Sequence, residues 1–323
     1  MSDFYFEKKV LVCGGAGFVG TNMILELLKR GAKVRATLHE KPAQIEDSCV
    51  EWVTVDLRTP EGCRDAVGDS EVVINAAAST SGASAIQNTP LVHVTPNVLL
   101  NTLLLDACYQ VGVQKFLFIS SNTVYPDLDH AVTEGEMMSG EPYGKYFPVA
   151  SMKRFGEVLS QIYSEKIEKK MPVVVVRPGN LYGPYDDFEW GSSHVLPALI
   201  RKCVERMDPY EVWGDGKDIK DFLYVDDFVE GALGALEKIE AFAPINIASG
   251  RESVLNDVLQ VILKVDGYSE AKLDYKADKP TMIPKRLIDI SMAKEILGFE
   301  PKISIEEGIA RTIRWYRNRT QSR

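Results

Sequence analysis

Residues 14–20 read Gly14-Gly-Ala-Gly-Phe-Val-Gly20, so Gly14, Gly17 and Gly20 recur at every third position. The series follows the apolar run Val10-Leu-Val-Cys13 directly and opens an amphipathic stretch over 21–30. A strand, a glycine turn and a helix in that order form the unit that binds the pyrophosphate of a dinucleotide. Gly14 would permit the tight turn, Gly17 would let the backbone approach the phosphates, and Gly20 would let helix and strand pack closely. The phosphates then meet a helix N-terminus, where unpaired N–H groups and the macrodipole favour negative charge. Flexible turns elsewhere also carry glycine triplets; the position between strand and helix makes this one informative.

The pattern around this unit agrees with it. Strand-like apolar runs are expected over 9–13, 33–37, 51–55, 72–75, 115–120 and 173–177. Helical stretches at 17–30, 60–67, 98–111 and 150–169 separate them, the signature of a parallel sheet with crossover helices. Val173-Val-Val-Val176 is a continuous β-branched run, as expected for a strand covered on both faces. After Pro178 the regularity weakens. A second set follows, with helices over 194–206 and 226–239 and strands over 211–213, 219–223 and 244–248. Helices over 253–265, 291–297 and 305–318 complete a smaller lobe. With 323 residues, one large α/β unit with a lobe, or two domains, is expected.

Composition narrows the partners. Lys and Arg number 37 against 46 Asp and Glu, a formal charge of −9, which argues against nucleic acid. Cys13, Cys49, Cys63, Cys108 and Cys203 are odd in number and show no C-x-x-C spacing, so reduced, buried thiols and no metal are expected. No run reads as the roughly 18 apolar residues of a membrane span, and the first residues show no signal-like apolar region. A cytoplasmic protein with no membrane or nucleic-acid partner is the expectation.

Six motifs occur in order: Gly14-Gly-Ala-Gly-Phe-Val-Gly20, Asp56-Leu57, Asn75-Ala-Ala-Ala78, Ser120-Ser-Asn-Thr-Val-Tyr125, Arg177-Pro-Gly-Asn-Leu-Tyr-Gly-Pro184 and Asp221-Phe-Leu-Tyr-Val-Asp-Asp227. Over nearly the whole chain they resemble the extended short-chain dehydrogenase/reductase family, the nucleotide-sugar epimerases, dehydratases and reductases. Asn180-Leu-Tyr-Gly-Pro-Tyr-Asp-Asp-Phe188, running into Ser193-His-Val-Leu-Pro-Ala-Leu-Ile200, resembles the GDP-L-fucose synthase branch.

The resemblance implies a Rossmann-type doubly wound parallel sheet with a smaller C-terminal α/β substrate lobe. Residues 1–177 with 218–248 would form the dinucleotide domain, and 178–217 with 249–323 the nucleotide-sugar lobe. The cofactor would lie against Gly14, Gly17, Phe18, Val19 and Gly20, with Asp56 accepting from the adenine amino group beside Leu57. Ala76, Ala77 and Pro178 would give it close backbone approach. Ser121, with Thr123 near it, would bond the sugar oxygen, and His194 would serve in acid–base work. Asn180, Lys202, Trp213 and Lys220 would hold the substrate, Lys220 standing where the family more often has Arg. A homodimer formed through the helices at 98–111 and 150–169 is also implied. By residue type alone, Asp56 is as well read as a turn or cap residue, His194 as a helix-terminal residue, the lysines as surface charges and Trp213 as packing.

One departure stands out. The family pairs Tyr and Lys four residues apart on one helix; the Lys binds the nicotinamide ribose and lowers the Tyr pKa from about 10. Lys153-Arg-Phe-Gly-Glu157 fits the Lys end, but four residues earlier stands Val149. Glu141-Pro-Tyr143 resembles the family's Glu-Pro-Tyr, ten positions before Lys153, and Tyr146 lies seven before it. Pro148 suits a helix start, which leaves both tyrosines in a preceding loop that could deliver a phenol to the site. Alternatively His194 or Thr123 moves the proton, or catalysis is lost.

At the end of the second strand, His39 stands where an NAD site usually has Asp or Glu. Arg35, His39 and Lys41 could approach a 2′-phosphate, which favours NADP over NAD, while Glu40 could serve the ribose diol. The expected activity is an NAD(P)-dependent nucleotide-sugar epimerase, dehydratase or reductase acting at C4 of a GDP-linked sugar. The competing readings are a non-catalytic NAD(P)-binding regulator and a reductase of small carbonyl compounds.

Overall fold

The computed structural model describes residues 3–79, 89–279 and 281–321. Its strands are β1 (Lys9–Cys13), β2 (Lys33–Leu38), β3 (Val50–Thr54), β4 (Val72–Asn75), β5 (Lys115–Ile119), β6 (Val173–Pro178), β7 (Asn180–Tyr182), β8 (Tyr210–Trp213), β9 (Ile219–Lys220), β10 (Phe222–Tyr224), β11 (Ala243–Ile247), β12 (Ser253–Val254) and β13 (Leu273–Lys276). Its helices are α1 (Phe18–Lys29), α2 (Pro60–Val67), α3 (Leu91–Val111), α4 (Phe147–Gln161), α5 (Val195–Val204), α6 (Val225–Lys238), α7 (Leu255–Asp266), α8 (Ser291–Leu297) and α9 (Ile305–Gln321).

Seven strands form one parallel sheet in the order β11-β6-β5-β4-β1-β2-β3. Chain order reverses direction between β1 and β4, and a doubly wound sheet opens its ligand crevice at such a point. Alternate residues feed opposite faces. Val10, Val12, Ile74, Leu117, Val174 and Val176 join one core with Ile24 of α1 and Phe228 of α6. Leu11, Cys13, Val73, Phe118, Val173 and Val175 join another with Cys63 of α2 and Leu104 of α3. A third core, among α5, α7, α9, β8 and β10, gathers Leu199, Tyr210, Tyr224, Leu259 and Ile309, with Phe188 stacked on Tyr316 at 4.4 Å between ring centroids.

Several boundaries move for visible reasons. α3 begins seven residues before the expected start at 98 and takes in Pro96, which the helix tolerates. Pro96 cannot donate to the Val92 carbonyl, and the Ser79 hydroxyl donates to it instead at 3.1 Å. The lengthened α3 is also, by length and composition, apolar enough to cross a membrane, which corrects the expectation that no such run exists. It lies against α2 and α4, and its buried side holds His93, Asn97 and Asn101. Asn101 there accepts from Asn75 Nδ2 at 2.9 Å. The strand expected over 219–223 is split into β9 and β10 by Asp221, whose carboxylate accepts from the N–H groups of Ser249 and Gly250 at 2.7 and 2.8 Å.

Candidate active site

The glycine turn lies on the β1 side of the crevice. Gly14 adopts φ +76°, and a Cβ there would lie 2.7 Å from the Ala77 Cα. The small residues after β4 and the glycine after β1 therefore let two backbones touch at the switch point. A Cβ on Gly20 would collide with the Gly14 carbonyl. Gly17 caps α1 without any side-chain hydrogen bond, which leaves the first helical N–H groups for a ligand. Phe18 and Val19 form the first turn of α1 and pack against the core, half-buried. The Gly14 N–H donates to Thr37 Oγ1 at 2.9 Å, anchoring the turn to β2.

Past the ends of β2 and β3, Arg58 grips Asp56 with Nε on Oδ1 at 2.8 Å and Nη2 on Oδ2 at 2.9 Å. Those bonds hold the Asp56 carboxyl down at about 2. His39 Nε2 lies 3.4 Å from Arg58 Nη2 and 3.9 Å from Asp56 Oδ2. Arg58 went unnoticed in the sequence, although Asp56-Leu-Arg58 directly follows a strand. Arg35, expected near a 2′-phosphate, instead donates to the Asp65 carbonyl at 2.8 Å and pairs with Glu51 at 3.3 Å. The Leu57 side chain is buried in the core beside Cys63, whose thiol donates to the Leu57 carbonyl. Leu57 can therefore meet a ligand only through its backbone.

Beyond β5, Ser121 Oγ accepts from both the N–H and the hydroxyl of Thr123, at 3.2 and 3.0 Å. With its acceptor sites taken, the Ser121 hydroxyl is left as a donor. Its neighbour Ser120 points into the protein and donates to Glu157 Oε1. Glu157 also meets Arg177, with Nη2 on Oε2 at 2.5 Å and Nε on Oε1 at 3.0 Å, both side chains 1% exposed. Arg177 goes on to Tyr125 Oη at 2.9 Å, and Tyr125 donates to Asn246 Oδ1 at 2.6 Å. This network fixes α4 against β5 and β6. One turn before Glu157 on α4, the Lys153 Nζ donates to the Ile119 carbonyl at 2.8 Å and lies 5.0 Å from the Phe118 ring centre. Burial pushes the Lys153 ammonium down to about 8, against the pull of Glu157.

The tyrosines depart from expectation. Tyr143 and Tyr146 do lie before α4, around the short turn Gly144–Tyr146, with their rings 5.8 Å apart. Among the described residues, neither bonds Lys153. The Tyr146 phenol instead hydrogen-bonds the backbone at Ile283 and faces Arg286; burial raises it to about 12, and those two groups pull it back only partly. The expected lowering of a phenol by Lys153 is thus not what this arrangement produces, because the inserted residues carry the ring across to the 281–286 segment. Lys145 makes the same crossing, donating to the Thr281 carbonyl at 2.6 Å.

The substrate-side expectations scatter. His194 caps α5 and is open to solvent, yet the surrounding protein lowers its imidazole below the ordinary value while Asp187 pulls upward. Asn180 Nδ2 donates to the Asp221 carbonyl at 3.0 Å, and the Pro178 carbonyl accepts from Asn122 Nδ2 at 2.8 Å. Lys202 is buried, not a surface charge, and its ammonium donates to the Glu211 carbonyl at 2.7 Å. Lys220 donates to the Ile283 carbonyl and pairs with Asp218 at 3.1 Å. Trp213 is exposed, its indole N–H on Glu211 Oε1 at 2.6 Å. Two residues that sequence reasoning passed over are Asp186 and Arg286. Both are buried, and each has a side-chain atom, Asp186 Oδ2 and Arg286 Nε, with no partner among the described residues.

Residues 10–248 match the NAD dependent epimerase/dehydratase family. The chain is 30% identical to the probable GDP-L-fucose synthase 1 of Oryza sativa subsp. japonica, over 98% of this chain and 94% of that protein. It resembles the UDP-glucose 4-epimerase of Thermotoga maritima, solved with UDP-glucose, at a TM-score of 0.87 and 26% identity over 97% and 99% of the two chains. The NAD complex of the Thermus thermophilus UDP-glucose 4-epimerase aligns at a TM-score of 0.84 and 25% identity, over 96% and 99%. Sheet order, glycine turn and sequence agree: the chain belongs to the NAD dependent epimerase/dehydratase family.

Proposed function

We propose that the protein uses NAD(P) to transfer a hydride at C4 of a GDP-linked sugar, with net epimerisation, dehydration or keto reduction. The observation that carries this reading is the conjunction of the glycine turn at the switch point with the retained Ser121 and Lys153 frame. The rice relative, matched over nearly all of this chain, supports the GDP assignment. In this reading Ser121 donates to the sugar oxygen, Lys153 faces the nicotinamide ribose, and His194, Asn180, Thr123, Lys202, Lys220 and Trp213 line the sugar-nucleotide side. The residues fit the cofactor: the uncapped start of α1 offers N–H groups to a pyrophosphate, and Asp56, its carboxylate held by Arg58, would accept from the adenine amino group. The reading favours NADP over NAD, since Arg58 and His39, 3.4 Å apart past the end of β2, are nitrogen-bearing side chains that a 2′-phosphate could use.

The assembly is proposed as a homodimer through α3 and α4, and the location as the cytoplasm, where the five unpaired cysteines would stay reduced. The second reading, a binding protein without catalysis, is favoured by Val149 alone. Thermal melts with GDP, UDP and dTDP, followed by turnover assays with GDP-4-keto-6-deoxymannose and NADPH or NADH, separate the two. The proposal expects the largest stabilisation from GDP and consumption of NADPH faster than NADH. Stabilisation by the dinucleotides with no nucleotide effect and no turnover would favour the regulator.

A further inference from the structure

Resting on that reading, we infer that Lys153 itself is the proton donor of the reaction: its ammonium protonates the sugar oxygen as hydride reaches the adjacent carbon. The position one turn before it on α4 is Val149, which has no proton to give. Of the two nearby phenols, Tyr146 is bonded to the backbone at Ile283, and Tyr143 sets its ring edge-on against Tyr146; among the described residues no hydrogen bond joins either to Lys153. Lys153 is half-buried, and among the described residues its ammonium has one hydrogen-bond acceptor, the Ile119 carbonyl, so two of its three protons remain available. That carbonyl ends β5, and Ser121, whose hydroxyl is oriented as a donor by Thr123, follows two residues later. One strand end thus presents a fixed donor and a transferable proton together.

The bookkeeping closes without another reagent. A bound NADPH would supply the hydride for the new C–H bond at the ketone carbon, being itself oxidised to NADP, and the carbonyl π pair would move to oxygen. An N–H bond of Lys153 breaks, an O–H bond forms on the sugar, and the neutral amine regains its proton from water. In the oxidative direction the amine accepts that proton. Charge around Lys153 suits both states. Glu157 on its own helix is compensated by Arg177 of β6, Arg154 turns away to the Val124 and Gly140 carbonyls, and Asp106 of α3 is bonded to Tyr163. β5 contributes the Ile119 carbonyl and the Phe118 ring.

The test is the pH dependence of hydride transfer from NADPH to GDP-4-keto-6-deoxymannose in the full-length protein, with dinucleotide affinity measured alongside. For the reductive direction the wild-type rate should fall as pH rises through about 8. Lys153→Arg keeps a cation for the ribose and should leave dinucleotide affinity within a few-fold. Its rate should drop roughly 100-fold or more, the usual worth of a general acid, with the limb near 8 removed. Lys153→Ala should be rescued by added primary amines in proportion to their protonated fraction. A wild type that turns over, but whose limb survives in Lys153→Arg and whose Ala variant ignores amines, overturns this assignment alone. A wild type that transfers no hydride to the ketosugar overturns the proposed function and this assignment with it.

Discussion

At the residue scale, Asp186, with one buried oxygen unpartnered among the described residues, shows how burial becomes a pH-dependent cost. Desolvation raises its carboxyl to about 8, helped by the charge of Asp187 and opposed by one backbone N–H. Between the ordinary carboxyl value of 3.8 and 8, the folded chain holds a proton that the unfolded chain has lost. Stability therefore falls as pH rises through that window. Asp186→Asn keeps the shape and removes the ionisation, so its melting temperature should match wild type near pH 4 and exceed it increasingly towards pH 8. Equal melting temperatures at both ends would mean the carboxyl is solvated after all. No sequence pattern announced Asp186, since an Asp-Asp pair in an irregular segment reads as surface. Gly14 and Gly20 were legible for the opposite reason: the close approaches they allow tolerate no other residue, so chemistry and position coincide.

At the scale of elements, the parallel sheet and its crossover helices could be read from alternation and length, because strands buried on both faces are apolar throughout. The errors cluster where a side chain substitutes for a missing backbone bond, as Ser79 does for Pro96, or where a carboxylate interrupts a strand, as Asp221 does. The Tyr-to-Lys spacing was legible as broken, but not where the displaced phenol goes, because that depends on a segment more than 130 residues away in sequence. The element most exposed to damage is α4, held by the Glu157–Arg177 pair. Glu157→Gln removes the negative charge and one of the two acceptor oxygens that face the buried guanidinium, and should cost about 3–5 kcal/mol. Replacing both residues with apolar groups of similar volume should cost less than the single change, and chemical denaturation of the three variants checks the order.

For the whole molecule, the outward surfaces of α3 and α4 bear on assembly. Leu91, Val92 and Leu99 on α3, and Phe155 and Val158 on α4 with Ile162 just beyond it, are all at least 41% exposed. Phe155, Val158 and Ile162 are spaced to share one helical face, and α3 packs beside α4. If that face meets a second copy, Phe155→Glu combined with Val158→Glu should convert a dimer into a folded monomer in light scattering, with little change in melting under dilute conditions. An unchanged mass would remove these helices from the interface. The crossing made by Lys145 and Tyr146 has a different reach. It stitches the N-terminal end of the helix that carries Lys153 to the 281–286 segment, in which Ile283 also receives Lys220. A displacement of the 281–286 segment would have to strain or break those stitches, which pull on the N-terminal end of the same helix that carries Lys153.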